Sequence, residues 1–304
     1  MRIVLIGSVD FTAHCLDHIL ANGGDIVGVI TTAVPGNNSD WVDLVELAAR
    51  RSVPAFSVHK INDPVSIELV RSLNPDILFV FGFSQLIGRE LLAIPKRGAI
   101  GTHPALLPRN RGRHPLIWAL VEGLHESGLT FFHMDDGADS GDILWQRPFA
   151  ITLDDDATTL YRKVKDLAAI AIPEFLPQLV AGNAPRIPQD SIQASYWRKR
   201  SEADGKIRWE APAMETYNLV RALTRPYPGA HTFVRGEKLI VWKAELPVKG
   251  RAPGDPKAEP GTVVSATGRR LTVSTGEGVI DLVDWAAPQH VDFRDGMKLG
   301  TAPQ

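Results

Sequence analysis

Short runs of hydrophobic residues alternate with amphipathic stretches along the first half of the chain. Residues 2–6 form a branched, uninterrupted apolar run, which is typical of a strand buried on both faces of a parallel sheet, and residues 11–20 have the period of a helix. The alternation continues with expected strands at 25–31, 55–58, 76–81 and 99–102 and expected helices at 44–51, 65–73 and 116–122. Repeated strand and helix predict an α/β domain with a Rossmann-like, doubly wound and mostly parallel sheet.

The pattern changes in the second half of the chain. Two strands are expected at 127–133 and 143–151, joined by a polar loop, and a long helical period at 158–180 is interrupted by Pro173 and Pro177. A short helix and several short strands separated by Gly and Pro turns follow at 213–223, 238–242, 261–265, 270–274 and 279–283. Short strands at this spacing predict a small β-barrel that is OB-like.

These patterns divide the chain into three parts. A large first domain is expected at 1–188 and the barrel-like domain at 206–304. The stretch 185–205 is polar and punctuated by Pro, Ser and Gly, so a linker is expected at 189–205, with its basic residues solvated. The stretch 248–260 is rich in Pro, Gly and charge and predicts a mobile loop.

Composition and charge narrow the class of protein. The chain has 304 residues, 44% hydrophobic and 22% charged, with a formal net charge of -2, so nucleic acid is not its default partner. Cys15 is the only cysteine and the chain begins directly with a strand, which together favour a cytoplasmic protein. No apolar run reaches the ~20 residues needed to cross a membrane. No cluster of His, Cys and carboxylate residues has the spacing of metal ligands, so no bound metal is expected. A homodimer is left open as the oligomeric state.

Candidate chemistry follows two of the expected strands. The first turn, 7–10, lacks the G-x-G-x-x-G spacing that a dinucleotide requires, which argues against an NAD site. His103 leaves the strand 99–102 into a turn rimmed by prolines, and Asp139 lies in a loop of small and acidic residues. An imidazole can share a proton near neutral pH, and a carboxylate can fix its tautomer. Each residue alone is more often structural, but two such loops at the end of one sheet predict an acid–base pair for group transfer.

The segments around these two residues resemble a known family. Residues 98–108 (GAIGTHPALLP), 111–112 (RG) and 134–142 (MDDGADSGD) are similar to formyltransferases that use 10-formyltetrahydrofolate and act on methionyl-tRNA, glycinamide ribonucleotide or amino-sugar nucleotides. Further positions resemble the C-terminal barrel of the two-domain members, namely 209, 221–222, 226–230 and 241–242. The resemblance implies an N-formyltransferase with 10-formyltetrahydrofolate as co-substrate.

The resemblance also implies a catalytic set. The family uses an Asn, a His two residues later and the Asp of a D-[TS]-G loop, and His103 and Asp139 occupy the last two places. Gly101 stands at the place of the Asn, whose amide is thought to bind the formyl oxygen. Loss of one such donor typically costs on the order of 10²–10³ in rate, whereas holding both reactants together can supply roughly 7–11 kcal/mol. Slow, rerouted and lost catalysis are therefore all open.

Several groups are candidates to replace the Asn amide that is missing at position 101. Thr102 is a poor candidate, because successive strand residues face opposite sides and only Gly101 shares the face of His103. A water molecule is one alternative, and the side-chain alternatives are His114, Ser84 and Gln85.

By resemblance, the folate would lie against three segments. These comprise the backbone of a loop after the fourth strand, a turn after His103 and part of the Asp139 loop. The residues are Phe83, Ser84, Gln85, Leu86, Ile87, Leu106, Leu107, Pro108, Asp136, Gly137 and Ala138.

The formyl acceptor is expected to be a small amine. In tRNA-specific members a Lys/Arg-rich insertion after the second strand supplies phosphate contacts, whereas 31–43 contains no Lys or Arg here. The run 111–118 resembles the branch that acts on amino-sugar nucleotides, and also formyltransferases of hydroxyornithine. Two arginines of this run could hold a diphosphate. The candidate acceptor-binding residues are Arg111, Arg113, His114 and Trp118.

Several functions are therefore open from the sequence. The leading hypothesis is an N-formyltransferase acting on a nucleotide-linked amino sugar. The alternatives are a methionyl-tRNA or hydroxyornithine formyltransferase, and a folate- or nucleotide-binding homologue that has lost catalysis with the Asn. A formyl-folate hydrolase, with water as acceptor, is the least favoured.

Overall fold

The computed structural model of the protein describes residues 1–34, 39–247 and 258–300. The chain forms two compact units, and each is described by itself. The first unit comprises Met1–Pro115, Ser127–Phe149 and Arg162–Trp197, and the second comprises Leu116–Glu126, Ala150–Tyr161 and Arg198–Gln304. The linear boundaries expected from the sequence stay a prediction. Most of the expected mobile loop, residues 248–257, lies outside the described residues.

The first unit is built on a seven-stranded sheet. The strands in chain order are β1 (Arg2–Ile6), β2 (Asp25–Thr32), β3 (Ala55–Val58), β4 (Ile77–Val80), β5 (Ala99–His103), β6 (Arg111–Gly112), β7 (Glu126–His133), β8 (Ile143–Ala150) and β9 (Tyr196–Trp197). The sheet has the order β3-β2-β1-β4-β5-β7-β8, and β6 pairs with β9. β1 to β5 are parallel and β7 is antiparallel to β5. The predicted mostly parallel, doubly wound sheet is confirmed.

Helices connect these strands. They are α1 (Asp10–Ala21), α2 (Leu44–Ala49), α3 (Pro64–Ser72), α4 (Arg89–Leu92), α5 (Pro115–Val121) and α6 (Ala157–Ala181). The sequence predicts an interruption at Pro173 and Pro177, but α6 runs across both. A proline removes one backbone donor from a helix, and burial of neighbouring side chains such as Phe175, which is 1% exposed, favours the continuous helix.

The winding of the sheet reverses between β1 and β4. Two hydrogen bonds join the turns that follow these strands, since the backbone nitrogen of Ser8 donates to the oxygen of Gly82 (3.2 Å) and the hydroxyl of Thr12 donates to the oxygen of Phe81 (2.6 Å). Ligands of doubly wound sheets bind outside the carboxyl ends of the strands near such a reversal. The loops after β4 and β5 are therefore in the expected position for a ligand site.

The second unit contains a five-stranded antiparallel sheet. Its elements are α7 (Ala213–Ala222), β10 (Ala230–Val234), β11 (Glu237–Glu245), β12 (Val263–Thr267), β13 (Arg270–Ser274) and β14 (Val279–Ala286), with the strand order β10-β11-β14-β13-β12. The segment 297–300 bonds to both edges, because Gly300 donates to Phe233 and Val263 donates to Met297, each at 2.8 Å. Pairing both edges in this way removes exposed strand edges, as a barrel does. The predicted fold class, in which short antiparallel strands follow the parallel sheet, is confirmed.

Within residues 1–34, 39–247 and 258–300, no helix is both long and apolar enough to cross a membrane.

His133 lies at the end of β7, in a position where its protonation is disfavoured. Its Nε2 donates to the oxygen of Pro185 at 3.0 Å, and its Nδ1 is buried without a partner among the described residues. Burial is the main cause that lowers the pKa of His133; Arg186 lowers it as well, whereas the bond to Pro185 and the charge of Asp142 oppose the shift.

We expect the free energy of unfolding to fall as pH drops below about 6.5, the pKa of an unfolded histidine. The unfolded state then binds a proton that the folded state resists, so stability rises with pH in this range. Thermal unfolding at about pH 7.5 and about pH 5.5 should show a larger loss of Tm for the native chain than for His133→Gln, which keeps a donor and does not titrate. An equal loss in both proteins would contradict this assignment.

Candidate active site

His103 and Asp139 lie side by side in the first unit. Nδ1 of His103 is 3.6 Å from Oδ2 of Asp139. The imidazole is 5% exposed and the carboxylate 22% exposed, so Asp139 is the more accessible member. The structure thus brings together the two residues that the sequence proposes as an acid–base pair.

A backbone carbonyl fixes the proton on the imidazole of His103. Its Nε2 lies 2.7 Å from the oxygen of Asn110. A carbonyl oxygen only accepts, so Nε2 carries a hydrogen and Nδ1 is the unprotonated nitrogen of the neutral ring. A proton taken up by His103 therefore goes to Nδ1 and faces Asp139.

Sheet geometry alone does not bring Asp139 to His103. β7 runs antiparallel to β5 with His133 opposite Ile100, so the loop after β7 starts beside the beginning of β5 rather than its end. The sequence-based argument that both residues leave the same end of the sheet is therefore wrong. The contact has another cause, since the backbone nitrogen of Gly112 donates to Oδ2 of Asp139 at 2.8 Å.

The rest of the Asp139 loop is organised by Asp135. Its Oδ1 accepts from the backbone nitrogen of Gly137 (3.0 Å) and from the hydroxyl of Ser140 (2.8 Å). Asp136 and Ala138 are exposed, and Asp136 forms a surface ion pair with Arg89 at 2.9 Å. The three loop residues predicted to bind the folate, 136–138, thus lie on an exposed edge of a folded turn.

Gly101 does not leave an empty space. Phe132 lies opposite it on β7, and a Cβ at position 101 would come within 2.8 Å of Cζ of Phe132 and 3.1 Å of Cγ of Met134. Phe132 is 4% exposed and packs in a cluster with Leu107 and Ile143. An aromatic ring therefore lies against position 101, the place that the resemblance assigns to an Asn.

Two side-chain amides hold the loop predicted to carry the folate. Gln85 accepts from and donates to the backbone of residues 59–61, with both distances 2.9 Å. Asn62 donates to the oxygen of Leu86 (2.8 Å) and accepts from the nitrogen of Gly88 (2.7 Å). Because both ends of its amide are engaged, Gln85 is not a free replacement for the Asn. The side chain of Leu86 is 79% exposed above this fixed backbone.

The other residues of this loop divide between core and surface. Phe83 and Ile87 pack partly against the hydrophobic core of the first unit. Ser84 is exposed, and its backbone oxygen accepts from Nη1 of Arg113 at 3.1 Å. The loop therefore offers its backbone and the side chain of Leu86, rather than its aromatic residue, to a ligand.

The residues of the turn after His103 also differ in burial. Leu107 is 2% exposed and belongs to the core, which differs from the expectation that its side chain lines a groove. Leu106 and Pro108 are half-buried, and Leu106 lies over Gly128. A large side chain at 107 is needed to fill the core beside Phe132, so Leu106 and Pro108 are the groove candidates.

The predicted acceptor-binding residues occupy different environments. Arg111 is 4% exposed and its guanidinium donates to Gln189 and Tyr196, so it differs from the expected free diphosphate ligand. Arg113 is exposed, and His114 is half-buried with a φ of 57°. Arg113 is thus the member of the pair that can reach a solvated anion.

Trp118 belongs to the second unit, where two arginines stack on it. The guanidinium carbons of Arg198 and Arg200 lie 5.2 and 4.6 Å from the ring centre, and Nε1 of Trp118 donates to the oxygen of Arg198 at 3.0 Å. Such cation–π contacts stabilise both partners. Arg198 also pairs with Asp204 and holds the pKa of that carboxyl well below its usual range. Arg198 and Lys199 of this basic run are exposed, as expected, while the guanidinium groups of Arg198 and Arg200 also lie over Trp118.

Two further features concern the binding of metals and of small molecules. No group of three or more His, Cys, Asp and Glu side chains that could hold a metal occurs in residues 1–34, 39–247 and 258–300. A cavity of about 550 Å³ lies in the second unit, lined by residues 206–210, 259–260 and 298–300. Its lysine at 298 is paired with Glu259 at 2.9 Å, and none of the sequence-predicted site residues lines it.

Family models match both parts of the chain. One described as "Formyl transferase" matches residues 1–176. One described as "Formyl transferase, C-terminal domain" matches residues 199–291. The residues between 176 and 199 lie outside both matches.

Solved structures share the fold at low sequence identity. An N-formyltransferase from Helicobacter canadensis in complex with folinic acid and dTDP-3-aminofucose is 19% identical over 94% of this chain and 100% of that chain, with a TM-score of 0.70. Methionyl-tRNA formyltransferase from Clostridium thermocellum is 17% identical over 81% and 94% of the two chains, with a TM-score of 0.56. A variant of HypX from Aquifex aeolicus is 17% identical over 93% of this chain, with a TM-score of 0.66, and this chain spans 43% of its length.

We expect Gly101→Asn to destabilise the chain by about 1–3 kcal/mol, because the new side chain meets the ring of Phe132. Phe132→Ala alone should cost about 3–5 kcal/mol through the cavity it leaves. The double variant should be more stable than the sum of the two losses predicts, since each change relieves the other. Urea unfolding of the four proteins measures this coupling. Strictly additive losses would show that Phe132 does not occupy the space at position 101.

Proposed function

Because the chain belongs to the formyl transferase family, we propose that it moves a formyl group from 10-formyltetrahydrofolate to the amine of a nucleotide-linked amino sugar. The observation that carries this proposal is the pair formed by His103 and Asp139, whose Nδ1 and Oδ2 lie 3.6 Å apart. An imidazole beside a carboxylate is suited to general acid–base chemistry. Proton transfer is what acyl transfer to an amine requires.

The proposed reaction gives each group one role. The folate supplies the formyl carbon. A bond forms between that carbon and the amine nitrogen, and the bond from the carbon to the folate nitrogen breaks. The amine loses a proton and the folate nitrogen gains one. Nδ1 of His103 holds this proton in transit because Nε2 is engaged by Asn110, and Asp139 stabilises the imidazolium.

The residues present fit a folate. The backbone of the loop after β4 is fixed by Asn62 and Gln85, and it carries the exposed side chain of Leu86. Leu106 and Pro108 are half-buried on the turn that follows His103. Apolar side chains beside available backbone groups are typical of a site for a flat heterocycle. These features support binding of the pterin near His103.

A small acceptor is supported by charge. The stretch 31–43 contains no Lys or Arg, so it offers no positively charged side chain to the phosphates of a tRNA. Arg113 is exposed near the loop after β4 and can donate to a diphosphate. The Helicobacter canadensis enzyme, which has the same fold, was solved with a dTDP-linked amino sugar. Methionyl-tRNA stays the second candidate, since the tRNA enzyme from Clostridium thermocellum also shares the fold.

Incubation with 10-formyltetrahydrofolate and a panel of nucleotide-linked amino sugars, hydroxyornithine and Met-tRNA should yield an N-formyl amino sugar, detected by mass spectrometry. We expect His103→Ala and Asp139→Asn to lower the rate by about 10²–10⁴-fold, the usual contribution of a general acid–base group. His290→Ala changes an exposed histidine of the second unit and serves as the control. If Met-tRNA is the only compound that is formylated, the acceptor is a tRNA and not an amino sugar. If no amine is formylated, formyl transfer is refuted.

Arg113→Ala should raise KM for the sugar nucleotide by about 10- to 100-fold, the range for one lost charge-assisted hydrogen bond. KM for the folate should rise less than KM for the sugar nucleotide, because the contact of Arg113 with the folate loop is a single hydrogen bond to the oxygen of Ser84. Arg113→Lys should recover part of the loss, and Arg109→Ala, at another exposed arginine of the same turn, is the matched control. An unchanged KM for the sugar nucleotide would exclude a diphosphate contact at this residue.

A further inference from the structure

The segment that precedes the second family match lies against the catalytic loops. Residues 189–197, called the clamp segment below, belong to the first unit. They form hydrogen bonds with the turn 110–113 and with the loop 139–141. The sequence predicts a linker here, and neither family match includes these residues. The clamp segment is therefore packed on the candidate site and is not a free linker.

Gln189 holds the loop that carries Asp139. Its Nε2 donates to the backbone oxygens of Asp139 (2.9 Å) and Gly141 (2.6 Å). Its Oε1 accepts from Nε (3.2 Å) and Nη2 (2.7 Å) of Arg111. A guanidinium only donates and a carbonyl only accepts, so these partners determine which way the amide points. One side chain thus joins Arg111 to two carbonyls of the Asp139 loop.

Arg111 is itself held in place. Its Nη1 donates to the hydroxyl of Tyr196 at 2.8 Å, and its guanidinium lies 5.6 Å from the centre of the same ring. With 4% of its surface exposed, Arg111 has little freedom to move. The planar guanidinium therefore presents a rigid donor pair to Gln189.

The clamp segment also holds the turn that contacts His103. Ser195 accepts from the backbone nitrogen of Asn110 (2.8 Å) and donates to its Oδ1 (3.1 Å). Gly112 pairs with Trp197, with a φ of 106° and a Cβ position only 2.3 Å from the oxygen of Trp197, so only glycine fits. The oxygen of Asn110 accepts from His103 and the nitrogen of Gly112 donates to Asp139. Both catalytic candidates are thus fixed by backbone that the clamp segment supports.

We propose that Gln189 is a positioning residue for formyl transfer, which holds the carboxylate of Asp139 beside Nδ1 of His103 through the backbone of the Asp139 loop. This inference rests on the proposed function. The loop follows an antiparallel strand whose register points it away from the end of β5, so external hydrogen bonds are required to keep it there. Without Gln189, two carbonyls of the loop lose their donor, and the hydrogen bond from Gly112 to Asp139 must hold the carboxylate without that support.

Steady-state kinetics tests the role of Gln189. Gln189→Ala should lower kcat by up to about 10²-fold, the usual effect of displacing a catalytic group by about 1 Å, with KM for both substrates unchanged. In an Asp139→Asn background the same change should cause no further loss, because Gln189 acts through Asp139. Gln193→Ala, in the same segment and bonded to Asp190, is the matched control and should behave as the native chain. Native kcat in Gln189→Ala, or additive losses in the double variant, would overturn the inference.

A second readout is independent of turnover. The ¹⁵N NMR signals of the His103 ring report the tautomer and the partners of each nitrogen. Gln189→Ala should shift the Nδ1 signal and leave Nε2 bound to Asn110, whereas Gln193→Ala should shift neither. Gln189→Glu keeps the size of the side chain and the acceptor for Arg111 but removes both donors, so it should match Gln189→Ala even if the alanine variant folds poorly. Unchanged Nδ1 signals in a folded variant would refute the positioning role.

The two readouts separate the two hypotheses. If the native chain forms no N-formyl product but its Nδ1 signal responds to Gln189→Glu, the proposed function is wrong and the positioning contact stands. If product forms and neither kcat nor the Nδ1 signal responds, formyl transfer stands and the inference about Gln189 is wrong.

Discussion

The hydrogen bond between Nε2 of His103 and the carbonyl of Asn110 is the constraint on which the site depends. It directs any proton that the ring takes up to Nδ1, the nitrogen that faces Asp139. Two residues further along, the nitrogen of Gly112 donates to Asp139 itself. One short turn therefore sets both the tautomer of the imidazole and the place of the carboxylate. Anything that moves this turn changes the distance across which the pair shares a proton.

The parallel sheet and the local hydrogen bonds contribute different parts of this site. β5 carries His103 to a strand end beside the reversal in winding, where ligands of such sheets collect. The antiparallel β7 does not deliver Asp139 to the same place, so side chains from distant segments must hold the loop. The fold thus provides the platform, and Gln189 and Arg111 provide the final alignment. This division explains how one sheet architecture can support different active sites.

The spacing of hydrophobic residues along the sequence predicts most of the helices and strands, because burial of one face decides where a helix or strand forms. It failed for α6, where packing around Phe175 outweighs the cost of two prolines, and it did not find β10, whose five residues include His231 and Thr232. The motifs identified His103 and Asp139 as a pair. They could not show that Arg111 is buried, since its partner Tyr196 is 85 residues away in the sequence. A polar segment that donates and accepts hydrogen bonds has the same composition as a linker.

Gly101 stands where the family resemblance implies an Asn, and this difference concerns packing as well as chemistry. Phe132 lies across the strand pair from Gly101, where a Cβ would come within 2.8 Å of its Cζ, so a larger side chain at 101 would crowd the ring. An apolar ring offers no hydrogen bond to a developing oxyanion, and loss of one such donor is worth about 2.7–4 kcal/mol. We therefore expect the charge that forms in the proposed transfer to be stabilised mainly from the side of Nδ1, which makes the alignment of His103 with Asp139 important.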